Sequence, residues 1–224
     1  ETGSTNMTAL LRKLRVKTKL TLLLMVTLLS LVTLSSFNLA ELWKELHDSR
    51  KAELTNLVDN AFSLIDRQQK LLQSGDRTRE DAIQEVYDDI RSLRYKGSEY
   101  FFIINESGTF VMHPIKPELE GKDSMTLADS NGKLFLAEMV KNAIANGDTY
   151  VDYYWDRVGS DVPMPKISYA RHYKEFGLIV GTGVYVHDIE AKFWSEVQFQ
   201  FVLFVIVMLI ALLFSSQIAK SMDD

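Results

Sequence analysis

Cysteine is absent from this chain of 224 residues. That absence excludes a disulfide framework, a zinc–thiolate site and a thiol nucleophile. Any domain it builds in an oxidising compartment must be held by core packing alone. Histidine is scarce: His47, His113, His172 and His187 lie far apart in sequence, and none belongs to a paired ligand motif such as H-E-x-x-H. No G-x-S-x-G sequence occurs. Gly181-Thr182-Gly183 sits inside a predicted strand with no helix after it, so it lacks the strand–turn–helix setting of a phosphate loop. Its expected role is close backbone packing. The residues therefore offer no catalytic set, no metal centre and no cofactor motif, and an enzyme is not expected.

Charge is missing from two long runs. Leu20–Ala40 and Val197–Ala219 contain no Lys, Arg, Asp or Glu. About 20 apolar residues suffice for a helix to cross a hydrocarbon core, so both runs are expected to be transmembrane helices. Arg12, Lys13, Arg15, Lys17 and Lys19 precede the first and Lys220 follows the second, which places both flanks in the cytoplasm. A cleaved signal peptide is the rival for the first run. Its apolar length exceeds the usual h-region of about 7–15 residues and no small-residue cleavage site follows before Trp43, which favours an uncleaved anchor. The opening ETGSTN is treated as a tail outside the fold. With 46% hydrophobic and 25% charged residues the chain is not disordered as a whole. Its net charge of −5 includes the basic N-terminal flank, so the region between the runs is more acidic still. Bulk charge there does not attract nucleic acid or anionic lipid headgroups.

The intervening stretch, 41–196, is long enough for one domain with its own core. Residues 41–73 carry apolar side chains at helical spacing, and no Pro or Gly interrupts the chain from Leu20 to Ser74, so span and helix can be continuous. Thr78 with Asp81 resembles a helix cap opening a helix to about Arg94. Beyond it the period becomes two. Tyr100–Asn105 and Thr109–His113 form an expected hairpin, followed by a helix capped by Asp129 or Ser130 and stopped at Gly147. Strands are expected at Thr149–Trp155, Lys166–Tyr173 and Leu178–His187, the last leading through a short helix into the second span. The predicted fold is α+β: a long N-terminal helix packed on a PAS-like antiparallel five-stranded sheet, with helices on one face and two flanking transmembrane helices.

The run LRYKGSEYFFIINESGTFVMHPIKPELEGKD (93–123), DYYW at 152–155, PKISYA at 165–170 and GTGVYVHDI at 181–189 resemble, in order, the single Cache sensor domain of bacterial methyl-accepting chemotaxis proteins and related transmembrane receptors. The resemblance covers nearly the whole region between the spans. It implies a pocket between the sheet and a helix-and-loop face, taking a small ligand, most often a short-chain carboxylate. It points to Arg94, Tyr100, Phe102, Met112, His113, Tyr153, Trp155, Lys166 and Tyr169 as ligand-binding residues. Strand periodicity agrees in part, since Tyr100 and Phe102 share a face, as do Tyr153 and Trp155. Arg94 and Lys166 supply cations for an anion, and the ordinary pKa of His113 suits a pH sensor. Each residue also has a structural alternative: core packing for the aromatics and Met112, a helix C-terminal cap for Arg94, solvation for Lys166, and a loop position for His113.

The expected domain organisation is a cytoplasmic tail at 1–19, a transmembrane helix at 20–40, a periplasmic or extracellular sensor domain at 41–196, a second transmembrane helix at 197–219, and a linker at 220–224. SSQIAKSMDD at 215–224 resembles the opening of a HAMP linker, so an output module is expected beyond Asp224. The expected function is that of a two-pass inner-membrane chemoreceptor sensor. It binds a small carboxylate without cofactor or metal, signals to a cytoplasmic output and pairs as a parallel homodimer through the 41–73 helix. The alternatives are the sensor region of a histidine kinase or cyclase, or a membrane-anchored binding module without signalling.

Overall fold

A computed structural model describes residues 14–157, 159–160 and 162–221. The sequence-predicted tail before residue 14 and the last three residues lie outside the described part. The chain divides into two compact units, one made of the residues before Leu46 and after Ile189, the other of Leu46–Ile189.

In the first unit, the N-terminal part of helix α1 (Val16–Gln73) and most of helix α4 (His187–Ser221) supply the apolar runs. Both helices are long and apolar enough to cross a membrane. Their large side chains, including Leu23, Leu29, Phe37, Phe199, Leu213 and Phe214, point outward, an arrangement that suits surrounding hydrocarbon rather than water. The hydroxyls of Ser30 and Thr33 donate to the carbonyls of Val26 and Leu29 one turn back, so these polar groups are satisfied inside the helix. The Trp43 and Phe193 rings meet edge to face at 4.9 Å.

The second unit is built around an antiparallel sheet. Strands β1 (Arg94–Tyr95), β2 (Glu99–Asn105), β6 (Leu178–Tyr185), β5 (Pro163–Tyr173) and β4 (Asp148–Asp156) lie side by side in that order, and β3 (Phe110–Met112) pairs with β2. The sheet therefore has six strands rather than five, the addition being the two-residue β1 that follows helix α2 (Arg79–Ser92). Pro163 and Pro165 are tolerated because β6 begins to pair with β5 only at Lys166, so their missing N–H groups face no partner strand.

Helices cover both faces, not one. On the first face Leu54, Val58, Phe62 and Ile65 of α1 and Ala82, Val86 and Ile90 of α2 pack against Phe101, Ile103, Ile167, Val180 and Val184. On the second, helix α3 (Phe135–Asn146) buries Phe135, Leu136, Met139, Val140 and Ala143 against Tyr100, Phe102, Ile104, Val151 and Tyr153. Parity within each strand decides the face, so a two-sided core follows directly from two-residue alternation. Buried residues of α3 at helical spacing are as apolar as those of α1, and nothing in their pattern distinguishes one face of the sheet from the other.

The cap on α2 holds: Asp81 N–H donates to the Thr78 hydroxyl, which in turn donates to the Asp81 carboxylate. The cap expected from Asp129 or Ser130 does not, because α3 begins only at Phe135, with Leu134 at its cap position. Strand β6 ends at Tyr185, and His187, expected in the strand, opens α4.

Candidate functional site

Strand β5 sets the site. Ile167 and Tyr169 enter the core beneath α1 and α2, which turns Lys166, Ser168 and Ala170 toward the α3 face. Next to them on β6, Gly183 pairs with Ser168 and Gly181 with Ala170. A Cβ on Gly181 would stand 2.5 Å from the Phe102 ring, and one on Gly183 would stand 2.8 Å from the Ile167 carbonyl oxygen and 2.9 Å from Lys166 Cε. Only hydrogen fits there. The G-x-G signature thus makes the room that the Phe102 ring and the Lys166 stem occupy.

Lys166 is 2% exposed. Its Nζ stands 3.4 Å from the Tyr100 hydroxyl, 4.4 Å from the centre of the Tyr100 ring and 5.0 Å from that of Tyr185. Among the described residues it has no ion pair. Burial pushes its pKa down to about 8, with the negative charge of Glu99 opposing the shift. The ammonium therefore remains mostly charged at neutral pH while surrounded by π-faces that attract it. A buried cation without a carboxylate partner is costly to maintain.

Around Lys166 the hydrogen-bonding groups converge. Trp155 Nε1–H donates to the Tyr100 hydroxyl at 3.1 Å, and the Tyr153 and Ser168 hydroxyls share a hydrogen bond of 2.9 Å. Phe135 stacks on Tyr153 with ring centres 4.1 Å apart and meets Trp155 edge to face. Burial raises the pKa values of Tyr100, Tyr153 and Tyr185, so these phenols stay neutral and can donate. His113 is buried against the rings of Tyr100, Phe102, Phe110 and Trp155. Its Nδ1 accepts from Lys116 N–H at 2.9 Å. The neutral ring must then carry its proton on Nε2, which makes it a donor. Burial, aided by the charges of Lys166 and Lys116, pushes its pKa down to about 3. The pH-sensing role expected of His113 is therefore overturned, because it does not titrate near neutrality.

Six of the nine residues expected at the site come together on this face: Tyr100, Phe102, His113, Tyr153, Trp155 and Lys166. The other three do not join them. Arg94 is exposed and donates to the carbonyls of Arg91 and Leu93, each at 2.7 Å, which is the helix-capping alternative. Met112 and Tyr169 belong to the core on the α1 side, where Tyr169 donates to Asp148 and packs on Tyr150. Parity could have set Tyr169 apart, because it lies an odd number of residues from Lys166. Ser168 and Tyr185 were missed. Both follow from the same parity rule, applied to β5 and to its register with β6.

A cleft of about 270 Å³ reaches Lys166 and Tyr153 past Lys133, and a second of about 260 Å³ reaches Trp155 past Lys116 and Asp156. Asp129 and Tyr154 line both. The loop between β3 and α3 is tied to the outer edge of β4 here. Asp129 accepts from Tyr154 N–H at 3.0 Å, Lys133 donates to the Asp152 carbonyl at 2.7 Å, and Lys116 pairs with Asp156 at 2.6 Å. No cluster of His, Asp or Glu suited to a metal occurs among the described residues.

Known proteins resemble this chain in sequence and fold. A solved periplasmic sensor domain of a chemotaxis protein is 39% identical, with a TM-score of 0.60 over 62% of this chain and 96% of that one. A Cache chemosensory domain whose structure was described for carboxylic acid recognition is 34% identical, with a TM-score of 0.62 over 64% of this chain and 97% of that one. Methyl-accepting chemotaxis protein McpP of Pseudomonas putida is 31% identical over 84% of this chain, and sensor histidine kinase MctS of Rhizobium johnstonii 28% over 75%. The chain spans 35% and 38% of the lengths of those two. Residues 46–198 match the single Cache domain 2 family, and that match takes in the whole sheet, both of its helical faces and the Lys166 cluster. The chain belongs to this family, the Cache sensor domains of chemotaxis receptors and histidine kinases.

Proposed function

We propose that the domain binds a short-chain monocarboxylate through Lys166 and transmits its occupancy across the inner membrane to a cytoplasmic output. One observation carries the reading: Lys166 is a buried ammonium with no ion pair among the described residues, ringed by neutral donors and aromatic walls. A carboxylate is the complement of that set. Lys166 supplies the charge, Nε2–H of His113 and the hydroxyl of Tyr100 supply hydrogen bonds, and Phe102, Phe135 and Trp155 take the alkyl part. A second carboxyl group would meet aromatic surface, so dicarboxylates are excluded. The 34% identical domain described for carboxylic acid recognition supports this assignment.

In this reading residues 20–40 and 197–219 span the membrane, 41–196 is periplasmic, and two copies pair in parallel through α1. Chemotaxis is the favoured output because the 31% identical relative is a chemotaxis protein. The histidine kinase relative favours a kinase as the second reading. Isothermal titration of the full chain in detergent with acetate, propionate and succinate tests the ligand class. Binding of the monocarboxylates that disappears in Lys166→Met supports it. Failure of both monocarboxylates to bind overturns it.

A further inference from the structure

His113 lies just past the end of β3, where the ladder to β2 has stopped at Met112. Its amide N–H donates instead to Oε1 of Glu120 at 2.7 Å. The chain between them doubles back through a 3₁₀ turn at Pro117–Leu119, and Gly121 N–H donates to the Phe110 carbonyl at 2.9 Å, which seats Glu120 beside β3. Arg91, in the last turn of α2, meets the same carboxylate with both arms of its guanidinium. Nη1 stands 2.8 Å from Oε1, and Nη2 donates to Oε2 at 3.1 Å. A fork of this kind fixes orientation as well as charge. Helix α2 is itself anchored by Ala82, Val86 and Ile90 in the core on the α1 side, so the carboxylate is braced against a packed element. Burial acts to raise the pKa of Glu120, but the hydrogen bonds from Arg91 and the His113 amide hold it below the ordinary carboxylate value. It is therefore ionised at neutral pH.

We infer that Arg91 and Glu120 are positioning residues for the ligand site: together they hold the loop 113–120 closed, so that His113 presents Nε2–H to the bound carboxylate. The inference rests on the carboxylate reading of the site, in which His113 is a donor. A neutral imidazole has two tautomers, and only the one protonated on Nε2 can donate from that nitrogen. The choice is made where Lys116 N–H donates to Nδ1 at 2.9 Å, and Lys116 reaches Nδ1 only while the loop is folded back on His113. Glu120 closes that fold from the His113 amide, and Arg91 fixes Glu120. Both side chains are partly exposed, where an ion pair adds little to overall stability. Their contribution is geometric: neither touches the ligand, and the Lys166, Tyr100 and Trp155 contacts do not pass through them. Loss of the pair should therefore cost the His113 hydrogen bond and leave the charge contact to Lys166 in place.

The test is a double-mutant cycle read by titration of the full chain in detergent with propionate. His113→Phe keeps a ring but no donor and should weaken binding about 3- to 10-fold, the range of a lost neutral hydrogen bond. Glu120→Ala should cost a comparable factor in the wild type and less than about twofold in the His113→Phe background. Arg91→Ala should follow the same pattern with a smaller loss. Glu120→Gln keeps an oxygen for the His113 amide but not the charged fork, and should fall between wild type and Glu120→Ala. A second readout is the imidazole nitrogen spectrum of histidine-labelled protein, with the His113 signals assigned by their loss in His113→Phe. The wild type should show the Nε2–H tautomer alone and Glu120→Ala a mixture. Equal losses from Glu120→Ala in both backgrounds, or unchanged affinity and tautomer in Glu120→Ala, overturn the inference. Unchanged affinity in His113→Phe overturns it too and leaves Lys166 as the carboxylate's anchor. If neither propionate nor acetate binds the wild type, the carboxylate reading itself has failed, and the inference falls with it.

Discussion

Gly183 faces the stem of Lys166 so closely that a Cβ on the glycine would stand 2.9 Å from Lys166 Cε. The same Cβ would press on the Ile167 carbonyl of the neighbouring strand at 2.8 Å. The flexible stem can move aside, but the backbone cannot. Gly183→Ala should therefore displace Lys166 and strain the β5–β6 pairing, at a cost of about 1–3 kcal/mol typical of overpacking. Thermal unfolding should show a lower midpoint, and propionate should no longer raise it.

Lys166→Met separates binding from stability. It removes a buried charge that, among the described residues, has no carboxylate within ion-pair distance, and it keeps much of the side-chain volume. Replacing buried charge by a hydrophobe of similar size is often neutral or stabilising. The unliganded variant should melt at or above the wild-type temperature. Its carboxylate affinity should fall by about 30-fold or more, equivalent to about 2–5 kcal/mol for a lost charged hydrogen bond. A variant that melts far lower would show that the ammonium holds the fold together.

Alkaline pH should weaken binding through the same residue. Burial holds the pKa of Lys166 down at about 8 in the unliganded protein. Above that value the amine is neutral, and a carboxylate must bind together with a proton. As pH rises through about 8, the dissociation constant should begin to increase, approaching tenfold per unit. The contribution to folding has the opposite sign. Between about 8 and the ordinary value of 10.5 the unfolded chain binds more protons at this lysine than the folded one, so unliganded stability gains from this group as pH rises. Titrations at pH 7 and 9 with parallel melts check both trends.

Much of this was legible in the sequence. Charge-free runs gave two apolar helices, and the switch from helical to two-residue spacing located the strands within a few residues. Parity alone put Tyr100 with Phe102 and Tyr153 with Trp155. What did not show was how the two faces of the sheet are covered. Leu54 and Leu136 look alike as buried helix residues, and only tertiary packing assigns them to opposite sides.

Substitutions away from the cluster should be silent for binding. Arg94→Ala loses two hydrogen bonds to carbonyls at the end of α2, and Tyr169→Phe loses one to Asp148 on the opposite side of the sheet. Each should leave propionate affinity within about twofold, because a change of a few tenths of a kcal/mol is all that distant sites usually transmit. A large loss in Arg94→Ala would move the anion site to the α2 end.

Asp129 should govern how fast ligand leaves. Its Oδ1 accepts from Asn131 and Lys133 N–H, and its Oδ2 from Tyr154 N–H on the outer edge of β4. One carboxylate thus closes a turn and ties the loop to the sheet between the two clefts that approach the site. These amide bonds hold its pKa below the ordinary value, although its own burial opposes them. Asp129→Ala removes all three accepted hydrogen bonds without touching Lys166 or its aromatic walls. Hydrogen exchange at Asn131, Lys133 and Tyr154 should accelerate, while the buried Ile167 and Val180 amides should keep their protection. Propionate dissociation should quicken, since the tie at Asp129 lines both clefts by which a ligand on Lys166 would leave. Asparagine keeps the Oδ1 acceptor but replaces Oδ2 with a donor that cannot receive the Tyr154 N–H. Asp129→Asn should therefore retain the turn and still release ligand quickly, which assigns the effect to the tie with β4 rather than to the turn.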